Sequence, residues 1–415
     1  MRKKILIIGN SAREYALAKK LSEQNDVYVV PGSDTIKEFA TCVDVREDSV
    51  AELLEFAMEN DIDMTIPISK KALQSNIVDL FSKNNMQIFA PSQEAAKLIF
   101  DKALTKKTLY KLRIPTPKFG IFEKQNMAQD YIKNQKNPFV IKSNETSSAT
   151  VLTSQISAKR ILDSYFTKQN AKVLIEDYAW GTPFAFYTIT DGYKALPIGS
   201  SIIYKHSLEG DGGQLTSGMG ACAPNYKLSL ENEYFIMDNI IYPQLEAFER
   251  NGSPYLGILG VNGILTEEGN IQVLGFESFL HDVDCSAILE ILDADLISLM
   301  ESCVVGSFSD EVEFISQKDL SSTSIVLWCK NSECKENVIN GLEDLDESTL
   351  VSFYPQVKKN RYLELEAEKG SVLVLTTSAR TVSSSTLKAY DEIEYINFNG
   401  SFYRKDICKP LKITV

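Results

Sequence analysis

An alternation of apolar runs and helix-patterned segments over the first ninety residues is the feature that most constrains the fold of this 415-residue chain. The short apolar runs at 4–8, 27–30 and 64–66 are typical of strands that are buried on both faces. The intervening segments repeat apolar residues at helical spacing, and they predict helices at 12–21, 49–60 and 71–82, before a last strand at 87–89. This βαβα order predicts an open parallel sheet with helices on both faces, and ligands of such sheets bind beyond the carboxyl ends of the strands.

Two further units follow the parallel-sheet unit. The pattern after residue 100 indicates an α+β unit, and the residues after 320 are β-rich. We therefore predict domains at 1–100, 101–320 and 321–415, with a smaller subdomain at about 117–188 and a polar, serine-rich segment at 316–324.

The elements of these later units follow from the spacing of apolar residues. They are helices at 94–112, 126–133, 157–167 and 228–251, and strands at 119–122, 139–142, 150–154, 172–177, 182–190, 193–197, 255–265, 270–276, 324–329, 371–375 and 394–398. The dipeptide Asp191-Gly192 predicts a tight hairpin turn. The polar, glycine-rich stretch 209–220 predicts a long loop, which either cradles a phosphate with its backbone or is a flexible surface segment.

Charge and composition exclude several classes of protein. The net charge is −13 and the pI is about 4.9, which argues against a general nucleic-acid binder. No apolar run approaches the ~20 residues of a membrane span. The only two histidines, His206 and His281, argue against a catalytic triad or a multi-histidine metal site. Seven scattered cysteines predict reduced thiols in a cytoplasmic protein.

The turn after the first predicted strand, GNSARE at 9–14, lies at the sheet edge where ligands are expected. It lacks the three spaced glycines of a dinucleotide fingerprint, so we predict no NAD site. Arg13 and the helix N-terminus could bind a sugar phosphate. Alternatively, this is a plain strand-to-helix turn with Arg13 in a surface ion pair.

Charged residues at strand ends and on one helix are candidate ligands for a nucleotide. Lys142 follows an apolar strand and could bind phosphate as a point charge, or it could extend to water. Lys102 and Lys106 share one helical face, where most such pairs are solvated. Glu176 and Asp177 could accept hydrogen bonds from a ribose or a base, or they could be ordinary strand-end acids.

Three carboxylates follow the strand predicted at 270–276. Glu277, Asp282 and Asp284 offer oxygen ligands of the kind that Mg²⁺ prefers. Exposed acids at a strand end and turn are the alternative interpretation.

Taken together and in order, these segments resemble the glycinamide ribonucleotide synthetase (phosphoribosylamine–glycine ligase) family of the ATP-grasp superfamily. The most specific likeness is TSGMGA at 216–221, which is similar to the family's Thr-Gly-Gly-Met-Gly-Ala. The other similar segments are IIGNSAREYALA at 7–18, PG at 31–32, DKALTK at 101–106, IPT at 114–116, VIK at 140–142, IEDYAWG at 175–181 and INFNGSFYRKDI at 396–407. The likeness therefore covers nearly the whole chain.

The resemblance implies an ATP-grasp fold in which ATP and Mg²⁺, or Mn²⁺, lie between two α+β halves, with the subdomain at 117–188 as a mobile lid. Lys102 and Lys142 would hold the ATP phosphates and act as the catalytic residues. Glu277 and Asp282 would hold the metal. Adenine and ribose would contact four consecutive residues, Glu176, Asp177, Tyr178 and Ala179.

The reaction implied by the resemblance is a step of de novo purine biosynthesis. The carboxylate of glycine takes the γ-phosphoryl group of ATP to give glycyl phosphate, and the amine of phosphoribosylamine then displaces phosphate. Positioning and electrostatics carry such a reaction, so it needs no nucleophilic side chain. The resemblance implies a cytoplasmic enzyme, a monomer or weak homodimer, whose partners are small-molecule substrates and not a nucleic acid or a membrane.

The substrate contacts are also implied by the resemblance. Residues that would face phosphoribosylamine are Gly9, Arg13, Glu14, Pro31 and Gly32. Lys205 would also contact a substrate. The residues at the glycine end would be Thr216, Ser217, Gly218, Met219 and Gly220.

Several segments depart from the family pattern. Lys70 stands where the family has a carboxylate, which reverses the local charge. The flap at 145–151 lacks the family's glycines and its lysine. Gly275 replaces the metal-binding glutamate, and Glu277 replaces an asparagine two residues later on the same strand face. Phe279 replaces an arginine.

Two functions are consistent with this sequence. The first is an active ATP-dependent carboxylate–amine ligase. The alternative is a degenerate ATP-grasp paralogue that has changed its acceptor substrate, or has lost catalysis and serves as a nucleotide-binding or scaffold protein.

Overall fold

The computed structural model of the chain describes residues 2–135, 138–144, 149–167, 171–308, 319–330 and 337–409. Three predictions concern residues outside these ranges. They are the glycine-poor flap at 145–148, the start of the serine-rich boundary at 316–318 and the thiol of Cys334.

The amino-terminal unit is a parallel sheet covered by helices, as predicted. Its elements are β1 (Lys4–Gly9), α1 (Ala12–Ser22), β2 (Asp26–Pro31), β3 (Thr41–Cys42), α2 (Val50–Glu59), β4 (Met64–Pro67), α3 (Lys70–Gln74), α4 (Ile77–Lys83) and α5 (Gln93–Phe100). The strand order is β3-β2-β1-β4, with every pair parallel. β1 is buried on both faces: Ile5 and Ile7 pack in a core cluster with Tyr15 of α1, and Leu6 and Ile8 in another with α2 and α4.

Two predicted helices are each divided in the structure. The helix predicted at 71–82 is split into α3 and α4 by Asn76, whose φ of 59° lies in the left-handed region. The helix predicted at 94–112 ends at Asp101, which leaves the helical conformation and caps the next helix. The strand predicted at 87–89 is reduced to a single parallel bridge, in which Ile88 pairs with Thr65 of β4.

The next unit is a small antiparallel sheet with two helices, which we call the lid sheet. Its elements, including the helix that precedes it, are α6 (Lys102–Lys111), β5 (Phe119–Phe122), α7 (Gln125–Lys133), β6 (Phe139–Ser143), β7 (Thr150–Leu152), α8 (Gln155–Tyr165) and β8 (Val173–Asp177). The strand order is β5-β8-β6-β7. Phe139 and Ile141 of β6 share a core cluster with Ile132 of α7 and Leu162 of α8.

The remaining strands, apart from one short pair, form a large antiparallel sheet. The elements are β9 (Thr182–Thr190), β10 (Ala195–Leu208), β11 (Gly212–Ala223), α9 (Leu230–Ile236), α10 (Tyr242–Arg250), β12 (Gly257–Leu265), β13 (Ile271–Glu277), α11 (Asp282–Ile291), α12 (Leu296–Val304), β14 (Ser321–Cys329), β15 (Leu350–Phe353), β16 (Lys358–Lys359), β17 (Leu365–Glu366), β18 (Gly370–Ala379), α13 (Val382–Ile393) and β19 (Ser401–Phe402). The order is β13-β12-β9-β10-β11-β14-β18-β15, with β19 beside β14, while β16 pairs with β17. A π-helical turn, Met237–Ile241, joins α9 to α10 as the predicted long helix.

The carboxyl-terminal strands extend this large sheet. β14 pairs with β11, with Gly220 opposite Ile325, and with β18 on its other side. The last unit is therefore hydrogen-bonded to the preceding one, and the domain boundaries at 1–100, 101–320 and 321–415 stay a prediction.

Two predicted segments differ from the structure. The stretch 209–220 is not a long loop, because only Glu209–Asp211 forms a turn and the residues from Gly212 onward belong to β11. Its glycines are needed inside the strand: a Cβ on Gly218 would lie 2.9 Å from Val283 Cγ2, and one on Gly220 would lie 2.7 Å from a backbone oxygen of β14. The strand predicted at 394–398 is wrong, since the chain turns there after α13.

Two cysteines differ from the prediction of free thiols. Cys222 of β11 and Cys408 are joined as a disulfide, with Cα atoms 6.1 Å apart. Their separation of 186 residues gave no signal of the pairing in the sequence. Among the described residues, none of the helices has both the length and the apolar character that a bilayer crossing requires.

Candidate functional site

A cavity of about 370 Å³ lies between the lid sheet and the large sheet. Its volume is within the range of small-molecule sites, ~300–1,000 Å³. The lid sheet contributes residues of β6 and β8, and the large sheet contributes residues of β10, β12 and β13. The cavity is rich in charged side chains. They are the four lysines Lys70, Lys102, Lys142 and Lys205 and the four acids Glu176, Asp177, Asp211 and Glu277.

Lys102 is held at the first turn of α6. Asp101 caps that helix by accepting hydrogen bonds from the N–H groups of Ala103 and Leu104, both at 3.0 Å. Asn144, at the end of β6, donates to Asp101 and accepts from the Lys102 backbone N–H at 2.9 Å. The lysine Nζ donates to the Ser143 carbonyl oxygen at 2.8 Å. Helix α6 and strand β6 are thus fixed to each other beside the cavity.

Burial and neighbouring charge also act on Lys102. Desolvation, together with the positive charges of Lys142 and Lys70, lowers the pKa of Lys102 to about 8. Several cations are therefore concentrated in one partly desolvated space. An anionic ligand with several charges, such as a polyphosphate, would relieve their repulsion.

Glu176 on β8 links two lysines from different elements. Its carboxylate contacts Lys142 Nζ of β6, and it pairs with Lys106 Nζ of α6 at 2.9 Å. Glu176 is 1 % exposed, and burial alone would raise its pKa, but the two lysines lower that pKa below its ordinary value. The pairing fixes Lys142 at the cavity wall.

Lys106 is buried. The prediction that it lies on a solvated helix face is therefore wrong. It is 1 % exposed, and its Nζ also donates to Thr116 Oγ1 at 2.5 Å. Desolvation lowers the pKa of Lys106 to about 8, an effect that Glu176 opposes. The sequence placed Lys106 on the same helical face as Lys102, but only the structure shows that this face is buried.

The residues after Glu176 line one end of the cavity. Asp177, Tyr178 and Ala179 follow it in the cavity wall together with Pro183 and Ile264. This end combines backbone groups with apolar side chains, an environment suited to a planar aromatic base.

Lys205 and Lys70 line the cavity from opposite units. Lys205 of β10 is buried enough that desolvation lowers its pKa. Lys70, at the start of α3, holds its Nζ 5.2 Å from the centre of the Phe100 ring. Lys70, the residue at which the local charge is reversed, therefore lines the same cavity as Lys102 and Lys142.

Glu277 at the end of β13 lines the cavity and has two close neighbours. Its Oε1 accepts from Asn262 Nδ2 at 2.7 Å and lies 3.5 Å from His281 Nε2. The neighbouring side chains of His281 and Lys205 outweigh burial and lower the pKa of Glu277. Among the described residues, no group of three or more histidine, cysteine or carboxylate side chains is arranged to hold a metal ion.

The other two carboxylates that follow β13, Asp282 and Asp284, do not line the cavity. Asp282 accepts hydrogen bonds from the Ser11 hydroxyl and, at 3.2 Å, from the Arg13 backbone N–H, and it does not line the cavity. Asp284 is fully buried, where it accepts from Tyr187 at 2.8 Å and from Ser201 at 2.7 Å. Of the three acids, only Glu277 lies in the cavity wall.

The amino-terminal candidates lie at the carboxyl ends of β1 and β2. Arg13 Nε is 3.2 Å from Glu14 Oε1, and its guanidinium carbon lies 4.3 Å from the centre of the Phe279 ring. Arg13 also lines a second, smaller cavity of about 50 Å³. Burial raises the pKa of Glu14 to about 7. A Cβ at Gly9 would lie 2.2 Å from Glu14 Oε1, so only glycine allows the carboxylate this position.

The remaining candidate substrate-binding residues lie at the end of β2 and in β11. Pro31 is the last residue of β2 and Gly32 follows it, and a Cβ at Gly32 would lie 2.2 Å from Cys42 Sγ. The segment from Thr216 through Ser217, Gly218, Met219 and Gly220 forms part of β11 and does not line the larger cavity. Neighbouring parts of the same hairpin do line it.

Arg404 holds the turn between β10 and β11 and was not identified as a candidate from the sequence. It is 1 % exposed, and its guanidinium pairs with Asp406 at 2.7 Å and with Asp211 at 3.1 Å. It also donates to the His206 carbonyl oxygen at 2.9 Å. Because Asp211 and His206 line the cavity, the carboxyl-terminal segment fixes part of the cavity wall.

We expect Arg404→Met to lower the free energy of unfolding by about 1.5–3 kcal/mol, since it removes buried hydrogen bonds between charged groups. Chemical denaturation measures this change, and limited proteolysis should show faster cleavage near the turn at 209–211. Lys405→Met, at an exposed neighbouring side chain, is the matched control. Equal stability of the two variants would contradict this role.

The comparisons with protein families cover most of the chain. Residues 3–98 match the family described as phosphoribosylglycinamide synthetase, N domain. Residues 100–285 match phosphoribosylglycinamide synthetase, ATP-grasp (A) domain.

Curated relatives match the chain over almost its full length. A phosphoribosylamine–glycine ligase from Caldanaerobacter subterraneus subsp. tengcongensis is 29% identical, over 97% of this chain and 99% of the relative. One from Brucella melitensis biotype 1 is 29% identical, over 97% of each.

Solved structures confirm the predicted ATP-grasp fold. A phosphoribosylamine–glycine ligase from Thermotoga maritima has a TM-score of 0.81 at 21% identity and covers 97% of this chain and 100% of its own. The biotin carboxylase domain of a Hydrogenobacter thermophilus 2-oxoglutarate carboxylase was solved with MgADP and bicarbonate. It has a TM-score of 0.73 at 14% identity, and the match covers 97% of this chain and 92% of that domain.

Proposed function

This chain belongs to the phosphoribosylglycinamide synthetase family, and we propose that it is an active ATP-dependent ligase that joins glycine to phosphoribosylamine. The observation that carries the proposal is that Lys102, Lys142 and Glu176, which reach the cavity from three different elements, line it together with Glu277. Such a combination of phosphate-binding cations and carboxylates suits a nucleotide and its associated cation.

Lys102 and Lys142 would bind the ATP phosphates in this proposal. Glu176 holds Lys142 in position, and the wall formed by Asp177, Tyr178 and Ala179 would bind the base and ribose. The lysine charges would stabilise the negative charge that develops as the γ-phosphoryl group moves to the carboxylate of glycine. The product of that step would be glycyl phosphate with release of ADP.

The cation site has one carboxylate that fits a divalent ion. Glu277 lies in the cavity wall, and Asn262 Oδ1 beside it is buried with no hydrogen-bond partner among the described residues. When bound, Mg²⁺ or Mn²⁺ would neutralise phosphate charge. We do not assign Asp282 to this ion, because Asp282 is engaged with Ser11 and Arg13.

The second step would be attack of the phosphoribosylamine amine on the acyl carbon, with loss of phosphate. We propose that Arg13 and the turn after β1 bind the sugar phosphate, with Gly9, Glu14, Pro31 and Gly32 around it. The segment 216–220 and Lys205 would bind at the glycine end. No side chain needs to act as a nucleophile, so excluding water and aligning the substrates are the main tasks of the protein.

The test is an assay of phosphate release with ATP, glycine and freshly prepared phosphoribosylamine, in which each substrate is omitted in turn. The proposal predicts release only with all three present, and a product with the mass of glycinamide ribonucleotide. Nucleotide binding without turnover would instead indicate the degenerate paralogue. Turnover with a different acceptor amine would indicate that Lys70 has changed the substrate.

The lowered pKa of Lys102 predicts a pH dependence of ATP binding. Below a pKa of about 8 the ammonium is charged and binds phosphate, and above it the free protein must take up a proton to bind. The dissociation constant for ATP, measured by calorimetry, should therefore rise between pH 8 and 9.5, by at most ~10-fold per pH unit. Lys102→Arg keeps its charge and should show a shallower profile than the unmodified protein, in which only other cavity lysines such as Lys205 still titrate. Identical profiles for the two proteins would refute the assignment.

We further propose that the protein is a cytoplasmic enzyme, since its proposed substrates are metabolites, and that it is a monomer or a weak homodimer. Small-molecule substrates are what a ligase of this family requires. Sedimentation at several protein concentrations tests the oligomeric state, and cell fractionation tests the location.

A further inference from the structure

The segment Arg404–Cys408 is attached at its first residues to the wall of the larger cavity. Arg404 pairs with Asp211, in the turn that joins β10 to β11, at 3.1 Å. Asp406 Oδ2 accepts a hydrogen bond from the backbone N–H of Gly210, in the same turn, at 2.9 Å. Because Asp211 lines the cavity, the position of this segment affects the shape of the cavity wall.

The same segment is attached to β11 by a covalent bond at its last residue. Cys408 is joined to Cys222, and their Cα separation of 6.1 Å lies within the ~4.4–6.8 Å that a disulfide requires. Ile407 beside it is fully buried, and a Cβ on Gly220 would lie 2.8 Å from Ile407 Cγ2. The segment is therefore held by ionic contacts at the cavity, by packing of Ile407 and by a disulfide.

A permanent disulfide is not expected in the cytoplasm, the location that we propose for this protein. Glutathione and thioredoxin-type proteins keep cytoplasmic thiols reduced, and disulfides that form there are mostly transient, catalytic or redox-sensing. Cys222 and Cys408 are separated by 186 residues in the sequence, so only the folded chain brings their sulfur atoms together. A cysteine pair that the fold assembles, in a compartment that favours thiols, is suited to reversible oxidation.

We propose that Cys222 and Cys408 form a reversible redox modification site, and that the molecule acting on it is a dithiol of the thioredoxin type. The disulfide form fixes the segment Arg404–Cys408 against β11. The dithiol form leaves the segment held only by its ionic contacts and by packing, so the turn at the cavity is held less firmly. The redox chemistry does not depend on the proposed function, whereas its effect on ATP binding rests on that function.

Reduction proceeds by thiol–disulfide exchange, with Cys408 Sγ as the atom that is attacked. Cys222 is fully buried on β11 between β10 and β14, whereas Cys408 is followed by the exposed Lys409. A thiolate of the reductant bonds to Cys408 Sγ as the bond to Cys222 breaks, and Cys222 leaves as a thiolate that takes up a proton. The second thiol of the reductant then attacks the reductant's own sulfur, which releases Cys408. Two electrons and two protons pass to the protein, and the reductant becomes a disulfide.

The first test measures the reversible bond in the full chain without substrates. The protein is equilibrated with varied ratios of reduced and oxidised lipoate, quenched with acid, alkylated and digested. Mass spectrometry then compares the linked peptide of Cys222 and Cys408 with their alkylated peptides. We expect one two-electron transition that is the same when approached by oxidation or by reduction. Absence of the linked peptide at the most oxidising ratio, or its persistence at the most reducing one, would overturn the proposal.

The second test asks whether reduction loosens the segment. Reduced protein is freed of lipoate by gel filtration without oxygen, and trypsin cleavage after the exposed Lys405 is compared in the two forms. We expect cleavage there to be about fivefold faster after reduction, because it follows the population of the open segment. Cleavage after Lys97, an exposed residue of α5, is the control that should not change. Equal rates at Lys405, or faster cleavage at both sites, would contradict a local effect. The comparison uses the unmodified chain, so it does not depend on the folding of a variant.

The third test compares the dissociation constant for ATP in the two forms by calorimetry. We expect the dissociation constant to rise about fivefold on reduction, since the segment also holds the cavity turn. Cys408→Ser should behave as the reduced form in every buffer. Cys303→Ala, which removes a buried free cysteine of α12, is the control that should keep the redox response.

The outcomes separate the redox site from the proposed function. Equal ATP affinity in the two forms would overturn the connection between the disulfide and the cavity. Absence of ATP binding in both forms would contradict the proposed function. A reversible linked peptide together with faster cleavage at Lys405 after reduction would then still support the redox site.

Discussion

Lys142→Ala is expected to lower kcat for ATP-dependent phosphate release by ~10²–10³, the size of effect seen when one preorganised charge-stabilising group is removed. The lysine reaches the cavity from β6 and is held there by Glu176. Its charge would stabilise the γ-phosphoryl group during transfer, so the loss should appear in kcat as well as in the KM for ATP. Steady-state kinetics at saturating glycine and phosphoribosylamine provide the measurement.

Lys107→Ala is the matched control for this variant. Lys107 lies on α6 with an exposed side chain, and its removal should leave kcat unchanged. Thermal unfolding of both variants shows whether the fold is intact. A folded Lys142→Ala variant with kcat within a factor of two of the unmodified protein would exclude Lys142 from catalysis.

Glu176→Ala is expected to be the most destabilising of these changes, by about 3–5 kcal/mol, because it leaves Lys106 as an unpaired buried charge. Lys106 is 1 % exposed, and its ion-pair partner among the described residues is Glu176. Urea denaturation followed by fluorescence gives the change in the free energy of unfolding. The loss should be greatest at pH values where the Lys106 ammonium is still charged in the folded state.

A paired substitution separates the buried charge from general packing. The double variant Lys106→Met with Glu176→Leu removes both charges and should recover most of the lost stability, since an apolar pair of similar volume replaces an ion pair at little cost. Nucleotide binding should stay impaired in the double variant, because Lys142 has lost its partner. If the double variant were no more stable than Glu176→Ala, the stability lost in Glu176→Ala would come from packing and not from the buried charge.

The fold could be predicted largely from local pattern. Apolar runs such as Lys4–Gly9 are buried on both faces of a parallel sheet, and such burial leaves a continuous hydrophobic signature. The glycine-rich stretch was misjudged because glycine is depleted in strands in general, while Gly218 and Gly220 are required here by close contacts with other elements. Those contacts join residues that are far apart in the sequence, so the hydrophobic periodicity of the stretch does not indicate them.

The residues alone indicated the candidate site most clearly where a charged residue ends an apolar strand. Lys142 and Glu176 carried that signal, and the structure brings them together. Lys106 did not, because helical spacing shows which residues share a face but not whether that face is buried. Asn262 and His281 meet through the register of β12 and β13 and the turn that follows, which a single sequence does not specify.

The central claim is that a carboxylate is activated by phosphorylation between the two sheets before the amine attacks it. The most direct test supplies glycine labelled with heavy oxygen in both carboxyl positions, together with ATP and phosphoribosylamine, and analyses the released phosphate by mass spectrometry. Transfer of one labelled oxygen from glycine to inorganic phosphate is the predicted result, because the bond to that oxygen forms in glycyl phosphate and breaks on the carbon side. Unlabelled phosphate released during product formation would contradict the account.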